Sequence, residues 1–146
     1  LAAICDMRVA AQSAKMASSF VKIGIVPGDG GAWLLQRLVG YPRAAELVLT
    51  GDTISAEQAL AIGLVNQVTP PSELMNAAVE MANKICANAP LAVQTAKMAV
   101  WKGLELPLAD GLRLENTLGE PLRQSEDVQE GIAAFTEKRK PQFKGK

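Results

Sequence analysis

The sequence predicts an α/β chain in which short strands and helices alternate over residues 1–70 and helices take over from 71 to 146. Three observations carry that expectation. Apolar and polar residues alternate in Asp6-Met7-Arg8-Val9-Ala10 and again in Leu64-Val65-Asn66-Gln67-Val68, the period-two pattern of strands. A cluster of backbone-permissive residues, Val26-Pro27-Gly28-Asp29-Gly30-Gly31, opens directly into the helical pattern Ala32-Trp33-Leu34-Leu35-Gln36-Arg37-Leu38-Val39. From Leu74 onward apolar residues recur at spacings of three and four, with Leu74, Ala77, Ala78, Met81, Ala82 and Ile85 forming one helical stripe. The apolar residues, 49% of the chain, are mostly Ala, Leu and Val rather than aromatics, which favours closely packed helices over an aromatic-rich sandwich.

Taken in order, Leu1-Ala2-Ala3-Ile4-Cys5 reads as a helix already under way, so the chain is expected to start in mid-fold. The strand at 6–10 follows, and Ala14 to Val21 has room for another short extended piece; neither has an obvious hairpin partner. Gly40 stops the helix that leaves the glycine-rich loop. Pro42 restarts one in its first turn, and Leu47-Val48-Leu49 carry it to Thr50-Gly51. Ser55-Ala56-Glu57-Gln58 fits a capping box, in which the Ser hydroxyl accepts from the Gln58 amide and the Gln side chain reaches back. That helix ends at Gly63. After the strand at 64–68, Pro70-Pro71 forces a new start and marks a shift of composition that divides residues 1–70 from 71–146. Asn88-Ala89-Pro90 breaks the next helix, and further helices are expected from Pro90 to Leu104 and from Leu108 to Leu122. Ser125 caps the last one, with Glu126 and Asp127 in its first turn and Lys138-Arg139-Lys140 closing it, so both ends complement the macrodipole. The tail beyond Pro141 is expected to be ordered only against a partner surface.

Composition excludes several functions. Fifteen Lys and Arg balance fifteen Asp and Glu, so no broad positive field is available for a nucleic-acid backbone or an anionic membrane. The apolar runs are too short to cross a bilayer, and Leu1 opens no recognisable signal peptide, so a cytoplasmic or organellar-matrix location is expected. The chain has no histidine, which removes Ser-His-Asp triads, Cys-His dyads and the usual zinc sites; no metal is expected. Cys5 and Cys86 lack metal-ligand spacing and are expected to be buried free thiols.

Four stretches in register resemble the crotonase (enoyl-CoA hydratase/isomerase) family. They are Leu1-Ala2-Ala3-Ile4-Cys5-Asp6 with Arg8 and Ala10; Gly24-Ile25-Val26-Pro27-Gly28-Asp29-Gly30-Gly31; Leu49-Thr50-Gly51 through Ala59 to Gly63-Leu64-Val65-Asn66; and Ala134-Phe135-Thr136-Glu137-Lys138-Arg139 with Pro141 and Phe143. Singly each is weak, but their order and spacing match across the whole chain. The resemblance implies an α/β, crotonase-like ββα spiral, of which this chain holds the C-terminal part only, followed by a helical trimerisation segment. It implies an acyl-CoA substrate, a homotrimer or dimer of trimers, and no cofactor beyond the CoA moiety of the substrate.

It also implies roles for particular residues. Such enzymes polarise a thioester carbonyl with two backbone amides as an enolate develops. Both donors map upstream of Leu1, so this polypeptide alone is expected to be inactive, although the Leu1–Cys5 helix would point its N-terminus at that oxygen. Hydratases of the family hold water between two glutamates. One would immediately precede Leu1, and the other corresponds to Phe20, which can neither take a proton nor hold water. The remaining acid nearby is Asp29. Some isomerising relatives place an aspartate one residue earlier in this loop, and Asp29 is thus either a catalytic base or an N-cap of the following helix. Ser18 and Ser19 either hydrogen-bond a polar acyl substituent or satisfy nearby backbone. Gly28 corresponds to a position whose backbone lines the acyl site, where a missing Cβ lets the ligand approach. Trp33 either walls the acyl pocket or joins the core. Phe135 and Lys138, three residues apart on one helical face, match positions at which the last helix reaches the CoA nucleotide of a neighbouring subunit, the ring on adenine and the ammonium on phosphate.

Asp29 beside an acid-free Phe20 ranks enolate-forming isomerase chemistry first and a hydratase with rearranged acids second. From a different class, a non-catalytic assembly or binding subunit would keep the scaffold without the hydratase acid.

Overall fold

The computed structural model describes residues 2–28 and 30–146; Leu1 and Asp29 lie outside the described residues. Chain contacts divide the molecule into two compact units, Leu1–Glu80 and Met81–Lys146.

In the first unit, β1 (Val9–Ala11), β2 (Lys15–Ala17), α1 (Gly31–Thr50), β3 (Thr53–Ser55), α2 (Ala56–Ala61) and β4 (Gln67–Thr69) follow in order, and α3 (Leu74–Cys86) begins after a 3-10 turn at Pro71–Glu73. Among the described residues the strands form two small ladders. β1 runs parallel to β4, with Ala10 opposite Val68, and β2 runs antiparallel to β3, with Met16 opposite Ile54. Both partners were invisible to local patterning because each pairing crosses a long stretch of chain. The capping box forms as its sequence predicts: the Ser55 hydroxyl accepts from Gln58 N at 3.2 Å and Ser55 N donates to Gln58 Oε1 at 2.8 Å. That box starts α2 immediately beside the ladders. Ala56 and Ala59, fully buried, let the helix approach the strands closely, and with Ala10, Leu64 and Val65 they make the core, flanked by Met16, Leu35, Leu38, Ile54 and Val68. α1 is broken where expected: Gly40 has φ 75° and ψ 159°, far from helical values, and Pro42 sits in the first turn of the resumed helix.

Several expectations need correction, each for a reason visible in the hydrogen bonding. Residues Ala2–Ile4 form one 3-10 turn rather than a running α-helix. The Arg8 guanidinium takes the carbonyl of Cys5 and that of Ala2 (3.4 Å), oxygens a continuing helix would use, and its Nε donates to Leu64 O at 2.6 Å. The strand placed at 64–68 starts later, at Gln67. Leu64 N and Val65 N donate to Ala59 O (2.8 and 3.3 Å), closing α2, and Asn66 exchanges hydrogen bonds with the Arg8 backbone (both 2.8 Å), so these residues have no amide free for a ladder until Gln67. The extended piece in 14–21 shrinks to β2, and Ser19–Ile23 is a 3-10 helix closed by Gly24 in the left-handed region, φ 77°. Both cysteines are free but exposed, not buried. Cys86 follows Ile85, so it is rotated about 100° off the apolar stripe of α3.

The second unit takes in the end of α3 and then α4 (Pro90–Gly103), α5 (Leu108–Gly119) and α6 (Glu126–Thr136). Pro90 starts α4, and α5 stops at Gly119 rather than Leu122 because Pro121 opens a separate 3-10 turn. Ser125 caps α6 by accepting from Val128 N at 3.2 Å. The basic run does not close that helix, which ends at Thr136. No helix among the described residues is long and apolar enough to cross a membrane.

Candidate functional site

Two groups of predicted site residues belong to the two units. In the first, β2 ends at Ala17 and Ser18 turns inward, 8% exposed, to line a cavity of 60 Å³ with Met16, Leu35, Leu47, Ile54 and Leu64. That volume is far below the ~300 Å³ at which small-molecule pockets begin. Ser19 and Phe20 then open the 3-10 helix Ser19–Ile23, which is seated against the end of α1. A Cβ at Gly51 (φ 64°) would lie 3.3 Å from Ser19 Cα and 3.1 Å from Lys22 Cε, and Lys22 pairs with Asp52 at 3.2 Å. The close approach at Gly51 therefore fixes where Phe20 stands. Phe20 is half-exposed, at 41%, and its carbonyl accepts from Ile25 N at 3.2 Å.

Gly28 begins the turn into α1, its carbonyl accepting Gly31 N–H at 2.9 Å. A Cβ on Gly28 would meet nothing within 4 Å among the described residues, whereas at Gly31 it would lie 3.2 Å from Pro27 Cβ. Gly30 occupies the N-cap position of α1. Asp29, assigned either to catalysis or to that cap, lies outside the described residues. Trp33 is 37% exposed and outside the core, with the Arg37 guanidinium stacked 3.5 Å from its ring centroid and donating to its carbonyl at 3.2 Å. The cavities of this unit lined by Ser18, by Tyr41 and Leu49, and by Arg43 and Asp52 include none of Phe20, Gly28 and Trp33.

In the second unit, Phe135 is 87% exposed in the last turn of α6. Lys138 does not share a helical face with it, as its spacing suggested. The helix ends in a Schellman motif: Lys138 takes the left-handed position at φ 53°, its N–H donating to Phe135 O (3.3 Å), while Arg139 N donates to Ala134 O (3.0 Å). Lys138 is thus held next to Phe135 by the cap rather than by helical periodicity. No hydrogen bond or ion pair engages the Lys138 side chain among the described residues.

The basic run is spent otherwise than predicted. Arg139 reaches back to α6 and grips Glu130 with both guanidinium nitrogens (2.5 and 2.8 Å), its Nε donating to Glu137 at 2.6 Å. Glu130 also accepts Gln142 N at 2.7 Å, and the buried carboxylate of Asp127, 3% exposed, accepts Lys144 N (2.6 Å) and Gly145 N (2.8 Å). Phe143 covers Gly131, where a Cβ would sit 3.6 Å from its ring. The tail after Pro141 is therefore strapped to its own helix, not left to a partner surface. Sequence patterning missed the strap because Glu130 and Arg139 are separated by nine positions, outside any helical spacing rule, and Asp127 looked like an ordinary first-turn acid.

Hydrogen bonding from Arg139 and then from the Gln142 amide holds the Glu130 carboxyl at about 2, below its ordinary 4.5. A depressed carboxyl stabilises the folded chain fully above its unfolded value and loses that contribution as pH falls through the folded one. The strap is accordingly expected to survive at pH 4 and to loosen toward pH 2. A carboxyl carbon-13 NMR titration of Glu130 checks it, and a midpoint near 4.5 would show that the pair does not form in solution.

Short parallel and antiparallel ladders backed by a buried-alanine helix, with a helical second unit, define an α/β protein. The family model described as enoyl-CoA hydratase/isomerase matches residues 1–146. An enoyl-CoA isomerase/hydratase (fer4) of Mycosarcoma maydis is 44% identical over 100% of this chain and 54% of its own length, and a short-chain-enoyl-CoA hydratase of Clostridium acetobutylicum is 44% identical over 96% and 54%. A crystal structure of an enoyl-CoA hydratase from Bacillus anthracis superposes with a TM-score of 0.97 at 42% identity, over 99% of this chain and 56% of that one. The chain belongs to the enoyl-CoA hydratase/isomerase (crotonase) family, and it spans about half the length of the relatives it matches.

Proposed function

We propose that the full-length protein binds an acyl-CoA and shifts a double bond along its acyl chain. In this reaction Asp29 removes a proton from C2 of a 3-enoyl thioester, and the electron pair moves onto the carbonyl oxygen as an enolate. The same proton returns at C4, leaving a 2-enoyl product with no net gain or loss of atoms. The residues here correspond to the C-terminal part of the family fold, and the oxyanion donors belong to the part of the family that this chain does not match. Phe20 and Gly28 line the acyl site, with Ser19 and Trp33 at its margin. Phe135 and Lys138 receive the CoA nucleotide, in a trimer or dimer of trimers. No cofactor beyond the CoA moiety and no metal enters the reaction.

The observation that carries the isomerase assignment is Phe20, a half-exposed phenyl ring on the 3-10 helix at the position where hydratases of the family need a carboxylate. Water placed there finds no base. Hydratase activity with rearranged acids is the second reading, favoured by the name of the Clostridium acetobutylicum relative. The two are separated by supplying full-length protein with 3-enoyl-CoA and with 2-enoyl-CoA. Isomerisation should dominate, and Phe20→Glu should raise water addition by about tenfold or more. Fast hydration by the unaltered protein would reverse the ranking. Retention of CoA with no turnover of either thioester would instead favour a non-catalytic binding subunit.

A further inference from the structure

The strap on α6 sits immediately beyond the residues proposed to hold the nucleotide. Among the described residues Phe135 is the most exposed large apolar side chain, and Lys138 is the one non-glycine residue with positive φ. A side chain rarely adopts that conformation unless its surroundings hold it there. What holds Lys138 lies on either side. On the N-terminal side it bonds back to Phe135 O through the cap. On the C-terminal side Arg139 is fixed twice, by its amide on Ala134 O and by its guanidinium on both oxygens of Glu130. Glu130 in turn is steadied by the Gln142 amide, and the tail beyond is pinned by Asp127. Neither Glu130 nor Arg139 has its charge free for a ligand, since each is spent on the other.

We infer that Glu130 is a positioning residue for the CoA nucleotide: through its bidentate pair with Arg139 it locks the left-handed turn that holds the Lys138 backbone next to Phe135. This rests on the nucleotide contact proposed above. A lysine free to leave the turn would still bear its charge but would sample many positions, so the ordering cost would fall on binding. The loss belongs to KM for a CoA thioester, not to kcat, because the reacting atoms are elsewhere on the substrate.

The test uses full-length protein with a CoA thioester and with the matching pantetheine thioester, which lacks the nucleotide. Glu130→Gln keeps an acceptor for Gln142 N but abolishes the charge pair, and Arg139→Lys keeps the charge but not the two-pronged geometry. Either variant should raise KM for the CoA thioester about fivefold at constant kcat, leave the pantetheine thioester unchanged, and add little to the loss caused by Lys138→Ala. If Lys138→Ala leaves the CoA thioester unaffected, the nucleotide contact itself is wrong. Should Lys138→Ala weaken binding while both clamp variants bind normally, the contact stands and the positioning role falls. Equal losses for both thioesters mean general structural damage and also overturn it.

Discussion

Asp29→Asn in the full-length protein is expected to cut isomerisation of a 3-enoyl-CoA by about 10²–10⁴-fold, the range spanned by a positioned general base. Asp29 is the sole acid between Asp6 and Glu46, so no neighbouring carboxylate in that stretch can take over. Asparagine keeps the size and the hydrogen-bond acceptor beside the helix start, where Gly30 holds the N-cap position, and so separates proton transfer from a structural role. A purely structural role predicts an unchanged denaturation midpoint and unchanged turnover in the variant. Loss of turnover at an unchanged midpoint assigns proton transfer. Steady-state kinetics beside a urea melt decides between them.

The largest effect on stability is expected at Asp127. Its carboxylate is 3% exposed, and each oxygen accepts a backbone amide from the tail, while its own amide donates to Lys146 O at 3.2 Å. Asp127→Ala strips the partners from two amides and removes a negative charge from the first turn of α6. Charge-assisted hydrogen bonds of this kind put the expected loss at about 3 kcal/mol. Asp127→Asn, which retains one good acceptor, should lose about half as much. Urea denaturation gives the magnitude, and hydrogen exchange at Lys144 and Gly145 gives its location. A loss below about 0.5 kcal/mol with protection intact would mean that Phe143 and the Glu130–Gln142 bond hold the tail without it.

What could be read from the sequence divides along a physical line. The capping box at Ser55–Gln58, the helix start at Pro90, the cap at Ser125 and the break at Gly40 were legible because each depends on a few consecutive residues. Family membership was legible for a related reason, since spaced short motifs preserve order even where pairings are hidden. Features settled by distant partners were not. β3 exists because Thr53–Ser55 lies against β2, and β4 starts at Gln67 rather than Leu64 because Ala59 O and the Arg8 backbone have already engaged the residues before it. The end of α6 was misjudged for the same cause. Lys138-Arg139-Lys140 resembles a run closing a helix, yet the Arg139 charge is taken by Glu130 and the backbone turns left-handed one residue earlier. Of the candidate site residues, the sequence named Phe135 and Lys138 together but supplied the wrong geometry for their closeness, and it did not single out Glu130.

The break in α1 carries a consequence for how the protein can change. At Gly40 a Cβ would meet nothing within 4 Å, so there is ample room for a methyl group, but φ 75° with ψ 159° belongs to a region that only glycine enters among natural residues. Chirality rather than crowding is what excludes every other amino acid. Alanine at Gly40 would therefore cost about 1–3 kcal/mol in backbone strain at the break itself, with no clash for its neighbours to relieve.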